Sequence, residues 1–436
     1  MNYSKIVTNT LVVGAGQAGI AMSEHLGTLR IPHVVLERDR VAEHWRSWRW
    51  DSLVANGPAW HDRFPGLAFD DHDPDSFVPK EKVADYFEEY ARRINAPIQT
   101  GVEVVKLTRH TGGSPRFVVE TSVGIVEAEN VVAATGAFQQ PVIPAVVPPM
   151  AGVAQMHSVE YRNPRQLTEG AVLVVGAGSS GAQIADELQR AGRRVFLSVS
   201  GHDRPPRFYR GRDYDWWLGV LGLWDVQASP EAKHLALAVS GVDGGRTVDF
   251  RRLAHEGVTL VGTVQSGQGG IVHFADDLRH NIQKGDENYL GLLRAADAYI
   301  ENNGLDLPVE EAAYDLPDDP DCLITPLSSI DLARERVTTI IWATGFRPNF
   351  NWISLDIFEK NGFPRHQRGV SEVDGLYFLG LPWLTCRGSS FIWGVWHDAK
   401  SIAGHIANRE KYREFHLAAL VRKPEGVHPN QELLPA

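Results

Sequence analysis

The chain has 436 residues, with 43 Lys and Arg against 54 Asp and Glu, giving a formal net charge of −11 at neutral pH. That balance argues against nucleic acid as a partner, because phosphate backbones are held by basic surfaces. Hydrophobic residues at 43% and charged residues at 22% suit a soluble globular protein long enough for two or three cored domains.

The polar start lacks the apolar core of a secretory signal, and no run reaches the length needed to span a bilayer. A cytoplasmic protein with no membrane partner is therefore expected. The strand-like run Leu11-Val12-Val13 leads into Gly14-Ala15-Gly16-Gln17-Ala18-Gly19 and then into a helix over 18–29. This is G-x-G-x-x-G in the strand–turn–helix context that a dinucleotide site requires. The first glycine permits the turn, the second lets a pyrophosphate approach the backbone, and the third packs helix on strand. Amides at the helix start then receive phosphate. The next strand, His33–Leu36, ends at Glu37, about 20 residues on, where an acid accepts hydrogen bonds from ribose hydroxyls.

An aromatic and basic stretch from His44 to Trp50 contains Trp45 and Arg46, and Asn56 follows in Ala55-Asn56-Gly57-Pro58. The spacing of Val83, Tyr86, Phe87 and Tyr90 predicts an amphipathic helix over 79–94. Short strands are predicted at 102–107 (which includes Val104), 116–120 and 124–128, with a Gly-Gly-Ser-Pro turn at 112–115. A strand at 131–134 ends in Ala134-Thr135-Gly136 and gives way to a proline-rich crossing, Pro141–Pro149.

A second fingerprint, Gly176-Ala177-Gly178-Ser179-Ser180-Gly181, follows the run Val172–Val175, and its own second strand is predicted at 194–199. Ser198 stands there where the first copy has Glu37. Losing the carboxylate removes repulsion of a 2′-phosphate, and Ser198, Ser200 and Arg204 or Arg207 can donate to it, which favours NADPH over NADH. A helix at 281–302, a strand at 338–343 ending in Ala343-Thr344-Gly345, a strand at 375–379 and a helix at 395–408 complete the pass. The paired A-T-G strands suggest nesting. The predicted fold is α/β with two Rossmann-like dinucleotide-binding domains, the NADP domain (151–337) inserted into a discontinuous FAD domain (1–150 and 338–436).

Taken together, GAGQAG, GAGSSG, ATGAFQQP and ATGFRP resemble the flavin-containing monooxygenases over about 11–408. More narrowly the chain is similar to bacterial single-component flavoprotein monooxygenases related to the plant YUCCA enzymes. The resemblance implies FAD in the first site and NADPH in the second. It also implies reduced flavin capturing O2 as a C4a-(hydro)peroxide, and oxygenation of a small organic substrate at nitrogen, sulfur or carbon. By the same resemblance Trp45 and Arg46 border the FAD, and Asn56 is a catalytic side chain beside the flavin. Val104, Thr135, Gly136, Thr344, Gly345 and Gly380 then lie along the cofactors.

Gly380-Leu381, where two-dinucleotide reductases carry Gly-Asp, and the absence of C-x-x-C both turn the reading away from disulfide reduction. The Baeyer–Villiger fingerprint is met only at His157, with Ala151, Val153 and Tyr161 departing from it. Plainer readings stand beside these. Asn56-Gly57 is also a sufficient turn, and Arg46 and the arginines after 200 also suit a solvated surface. The tract from Tyr209 to Trp224 suits an interface as well as a substrate wall. Trp216, Trp217, Trp383, Phe391 and Trp393 hint at an apolar or aromatic substrate. No zinc or calcium spacing is present, so no metal is expected. A homodimer is the default assembly. The competing functions are an FAD-linked NAD(P)H reductase or oxidase and a flavin-bound sensor without turnover.

Overall fold

The computed structural model describes residues 4–110, 114–227 and 236–421, so the first half of the predicted 112–115 turn lies outside the described residues. Strand β1 (Ser4–Val13), helix α1 (Gln17–Thr28) and strand β2 (His33–Leu36) form the first β-α-β unit. Helix α2 (Lys80–Arg93) buries Val83, Tyr86, Phe87 and Tyr90, as the spacing requires. Strands β3 (Val104–Arg109) and β4 (Phe117–Thr121) run antiparallel and lead into β5 (Gly124–Ala133). Two strands were expected between 124 and 134, but the structure has one. Its burial alternates at first, where one side is open, and becomes continuous from Asn130 as the strand enters the sheet centre. There β5 lies parallel to β1, Leu11 opposite Val131 and Val13 opposite Ala133.

The second unit comprises β6 (Ala154–His157), β7 (Ala171–Val175), α3 (Ser179–Arg190), β8 (Val195–Ser198), α4 (Tyr214–Val220), β9 (Thr259–Val261), α5 (Leu278–Asn303) and β10 (Val337–Trp342). The five strands of its main sheet are all parallel, in the order β9-β8-β7-β10-β6. Every residue of β7 is buried, which is why it reads as an unbroken apolar run. β10 sits between β7 and β6. The strand expected to open the second part of the first domain at 338 therefore belongs to the second sheet, and the chain crosses back after it. Its nearly continuous apolar pattern requires cover on both faces, which the centre of either sheet provides, and here the neighbours are β7 and β6.

The return is complete at β11 (Leu376–Phe378), which pairs parallel with β5 in the first sheet. Helix α6 (Ile392–Val421) then packs along α1, with Trp396 edge-on to His25 at 4.4 Å. The second unit is thus nested within the first.

One buried group couples this fold to pH. The fully buried His202 donates from Nδ1 to the Ser200 carbonyl at 2.9 Å, while its Nε2 has no partner. A Cβ at Gly285 would lie 2.4 Å from that nitrogen, so nothing can be added there to hold a second proton. Burial holds the imidazole down at about 4. The unfolded chain therefore takes up the proton first, near pH 6.5. This contribution is whole above pH 6.5 and is lost as pH falls towards 4. Asp215, pushed up to about 6 by burial, acts in the opposite sense over the same range. Thermal melts between pH 7 and 4.5 should show a shallower acid decline for His202→Gln than for the wild type. An unchanged slope would remove His202 from the account.

Candidate active site

A cavity of about 1200 Å³ lies where the two units meet, and both glycine loops open onto it. In the first loop Gly14 has φ +107°, and a Cβ there would come within 2.7 Å of the Ala134 carbonyl at the end of β5. A Cβ on Gly19 would overlap the Gly14 carbonyl at 1.8 Å, so α1 lies directly on the turn. Gly16 differs. Its φ is −82°, and nothing lies within 4 Å of the position a Cβ would take. The second loop repeats the pattern: Gly176 has φ +124° and lies against Ala343, while Gly181 lies against the Gly176 carbonyl. A Cβ on Gly178 would meet the Ala236 methyl at 3.4 Å and the Leu237 carbonyl at 3.8 Å, both ordinary contacts.

Helices α1 and α3 start without a side-chain cap and without an acid in the first turn. Their first amides are left for an acceptor from outside, and the dipole favours an anion. Two open glycine cradles over uncapped helix starts fit two pyrophosphates. Glu37 lines the cavity and also braces the turn, accepting from Ala15 N–H at 2.8 Å and Asp39 N–H at 2.9 Å. Ala15, Gly19 and Gly181 stand behind the lining, holding turn and helix together. Gln17 and Ala18 face the cavity with Gly14 and Gly16, and Ser179 and Ser180 face it with Gly176 and Gly178.

Further residues named from the sequence gather here too. Trp45 lines the wall and donates to Gln17 Oε1 at 3.3 Å. Val104, Thr135, Gly136, Thr344, Gly345 and Gly380 line it as well. Gly380, at φ +78°, lies where a Cβ would be 2.9 Å from the Ala18 methyl. Asn56 lines it beside Gln183 of α3, to which it is hydrogen-bonded. Ser198 and Ser200 face it, the Ser198 hydroxyl donating to the Gly262 carbonyl at 2.9 Å.

Three arginines depart from expectation. Arg46 points away from the cavity to Asp85 at 3.1 Å and Glu88 at 2.7 Å, because acids of α2 face it. Arg204 is buried outside the cavity, paired with Asp286 at 2.7 Å and Asp249 at 3.5 Å. Arg207 reaches the wall, but its guanidinium is held by both oxygens of Asp213 and by Asp215. A buried guanidinium needs carboxylates, and these have them, so neither Arg204 nor Arg207 is free for a 2′-phosphate. The cation that sequence reasoning missed is Arg49. It lies 4.6 Å over the Phe138 ring and 5.9 Å from the Trp45 ring, on the cavity wall, with no carboxylate partner among the described residues. Burial lowers it to about 10, which still leaves it charged at neutral pH. Its only sequence signal was membership in the His44–Trp50 stretch.

Of the five aromatics named from the sequence as hinting at the substrate, only Phe391 lines the cavity. Tyr214 and Trp224 line it as well. Trp216 and Trp217 instead pack near Tyr209 and Tyr299, Trp393 backs Trp224 at 6.0 Å, and Trp383 is not in the lining. Neither Cys322 nor Cys386 lines the cavity. Among the described residues no group of three His, Cys, Asp or Glu can hold a metal, and no helix is long and apolar enough to cross a membrane.

Two such loops facing one cavity define a two-dinucleotide oxidoreductase. Residues 11–218 match the family model described as pyridine nucleotide-disulphide oxidoreductase. The chain is 35% identical to an uncharacterized CzcO-like oxidoreductase of Geobacillus kaustophilus, over 92% of this chain and 99% of that one. It is 26% identical to the indole-3-pyruvate monooxygenase YUCCA1 of Oryza sativa subsp. japonica, over 92% and 91%. In fold it is similar to a flavin-containing monooxygenase from Stenotrophomonas maltophilia, with TM-score 0.64, 18% identity and 93% and 99% coverage. The chain belongs to the same family as the CzcO-like oxidoreductases, and it shares the fold of the flavin-containing monooxygenases.

Proposed function

We propose that the protein is an FAD-dependent monooxygenase that uses NADPH and O2 to oxygenate a small organic molecule at nitrogen, sulfur or carbon. The observation that carries this reading is the shared cavity, with both pyrophosphate cradles opening on one space whose lining includes Tyr214, Trp224 and Phe391. In this arrangement the first loop and Glu37 hold FAD, and the second loop with Ser198 and Ser200 holds NADPH. Bound flavin and nicotinamide would supply the redox chemistry and O2 activation, so the chain itself needs no acid–base dyad. Its own residues bind, orient and exclude water: Trp45, Phe138 and Trp224 enclose the space, and Arg49 offers a charge to a phosphate or carboxylate.

The reductase alternative draws no support from the cysteines, since neither reaches the cavity. The departures from the Baeyer–Villiger fingerprint around His157 favour heteroatom or activated-carbon oxygenation. The test is a balance sheet of electrons. FAD-loaded protein is given NADPH, 18O2 and a panel of small amines, sulfides and 2-oxo acids. Incorporation of 18O into one of them, matching the NADPH consumed, is the expected result. NADPH consumption that ends wholly in hydrogen peroxide for every compound would support an oxidase instead.

A further inference from the structure

We infer that Gln183 is a positioning residue that fixes which end of the Asn56 amide faces the cavity. The inference rests on the monooxygenase reading and adds a residue to it. Asn56 belongs to a loop of the first unit, and Gln183 to α3 of the second. The Gln183 side chain is buried, with 6% of the residue exposed. Its Nε2 lies 2.7 Å from the Val239 carbonyl and 3.0 Å from Asn56 Oδ1.

A main-chain carbonyl only accepts, so the Gln183 atom beside Val239 must be the nitrogen. An amide nitrogen only donates, so the Asn56 atom facing it must be the oxygen. One carbonyl therefore sets the orientation of both amides. Both Nε2 protons are used. Asn56 is left with Nδ2 and its two protons, which make no hydrogen bond to any described residue on a side chain that lines the cavity. The wall thus presents a donor, the polarity that favours negative charge developing in front of it.

The main chain is fixed as well. Arg207 Nη1 donates to the Asn56 carbonyl, and the next amide, Gly57 N–H, donates to Asp62 Oδ2 at 3.1 Å. Gly241 brings the second unit so close that a Cβ there would be 2.4 Å from the Ala55 carbonyl. A further observation singles out Gln183. Its Oε1 is buried without a partner, a cost that an apolar residue of similar size would avoid. An amide kept at that cost does something leucine cannot, and here that is to hold Asn56. Because the two residues come from different units, the donor is presented only while the units are docked.

The test uses the full chain loaded with FAD, as wild type, Gln183→Leu, Gln183→Met, Asn56→Ala and the Gln183→Leu/Asn56→Ala double variant. Flavin midpoint potential and the share of NADPH electrons ending in hydrogen peroxide are measured. Gln183→Leu is expected to lower the potential and raise the peroxide share severalfold, with the KM for NADPH unchanged. In the Asn56→Ala background it should add nothing, since it acts through Asn56. Gln183→Met, nearly isosteric but unable to donate, should behave alike and covers the case in which the leucine protein does not fold. Variants matching the wild type, or an effect undiminished in the Asn56→Ala background, would overturn the inference alone. A wild type that takes up no FAD, or is not reduced by NADPH, would overturn both it and the monooxygenase reading.

Discussion

Alanine at Gly16 is expected to leave the chain folded and to strip it of FAD. Alanine at Gly14 or Gly19 should instead disrupt the first unit. The three glycines are alike in sequence and differ in what surrounds them. Gly14 sits at φ +107° with the Ala134 carbonyl 2.7 Å from where a Cβ would go, so the substitution meets both backbone strain and a main-chain clash. At Gly19 the clash is with the turn itself, at 1.8 Å. Gly16 has neither obstacle: its φ is ordinary, and its missing side chain leaves open space on the cavity wall. That space is where a pyrophosphate must come within hydrogen-bonding reach of the amides at the start of α1. A methyl there should weaken FAD about a hundredfold, roughly 2.8 kcal/mol. The melting temperature of the FAD-free protein should stay near the wild-type value. FAD titration by fluorescence and melts of the apoprotein read the two effects separately. Wild-type FAD affinity in Gly16→Ala would remove the first loop from the cofactor site.

The glycine loops were legible in the sequence because their demands are local: a turn, a close approach and a helix packed on a strand are set by a few consecutive residues. The nesting was legible for a similar reason, since apolar runs ending in A-T-G mark strand ends wherever they occur. What failed depended on distant neighbours. Arg46 and Arg49 carry the same charge three residues apart, and only the placement of Asp85 and Glu88 on α2 decides which of them leaves the cavity. Arg204 was suited to a phosphate by position, but Asp286, far along the chain on α5, claims it. The strand at 337–342 was assigned to the wrong sheet because its apolar pattern shows burial without naming the neighbour. Asn56 and Gln183 were separately visible, the first as a turn residue and the second as one more polar position on a helix. Their pairing exists only where the two units touch.

Arg207→Ala should be the most damaging single change outside the glycine loops, and it should leave nicotinamide preference untouched. Both halves follow from one geometry. Arg207 is 2% exposed, holds Asp213 with two nitrogens, reaches Asp215 at 3.2 Å and donates to the Asn56 carbonyl. Removing it leaves two buried carboxylates without their cation, a change that costs about 3–5 kcal/mol. Burial already pushes Asp215 up to about 6 with the guanidinium in place, and without it both acids must rise further. A carboxyl whose folded value lies above its unfolded one stabilises the fold while protonated and ceases to do so as pH rises through the folded value. Arg207→Ala should therefore be least stable at pH 8 and recover part of the deficit near pH 5.5, as denaturant melts at the two values would show. Nicotinamide preference should not follow. With its charge committed to Asp213 and Asp215, Arg207 has no capacity for a 2′-phosphate, so the NADPH to NADH ratio of kcat/KM should shift less than about threefold, under 0.7 kcal/mol. A tenfold fall in that ratio at undiminished stability would show the guanidinium free to leave its carboxylates, and would return Arg207 to the role its position in the sequence suggested.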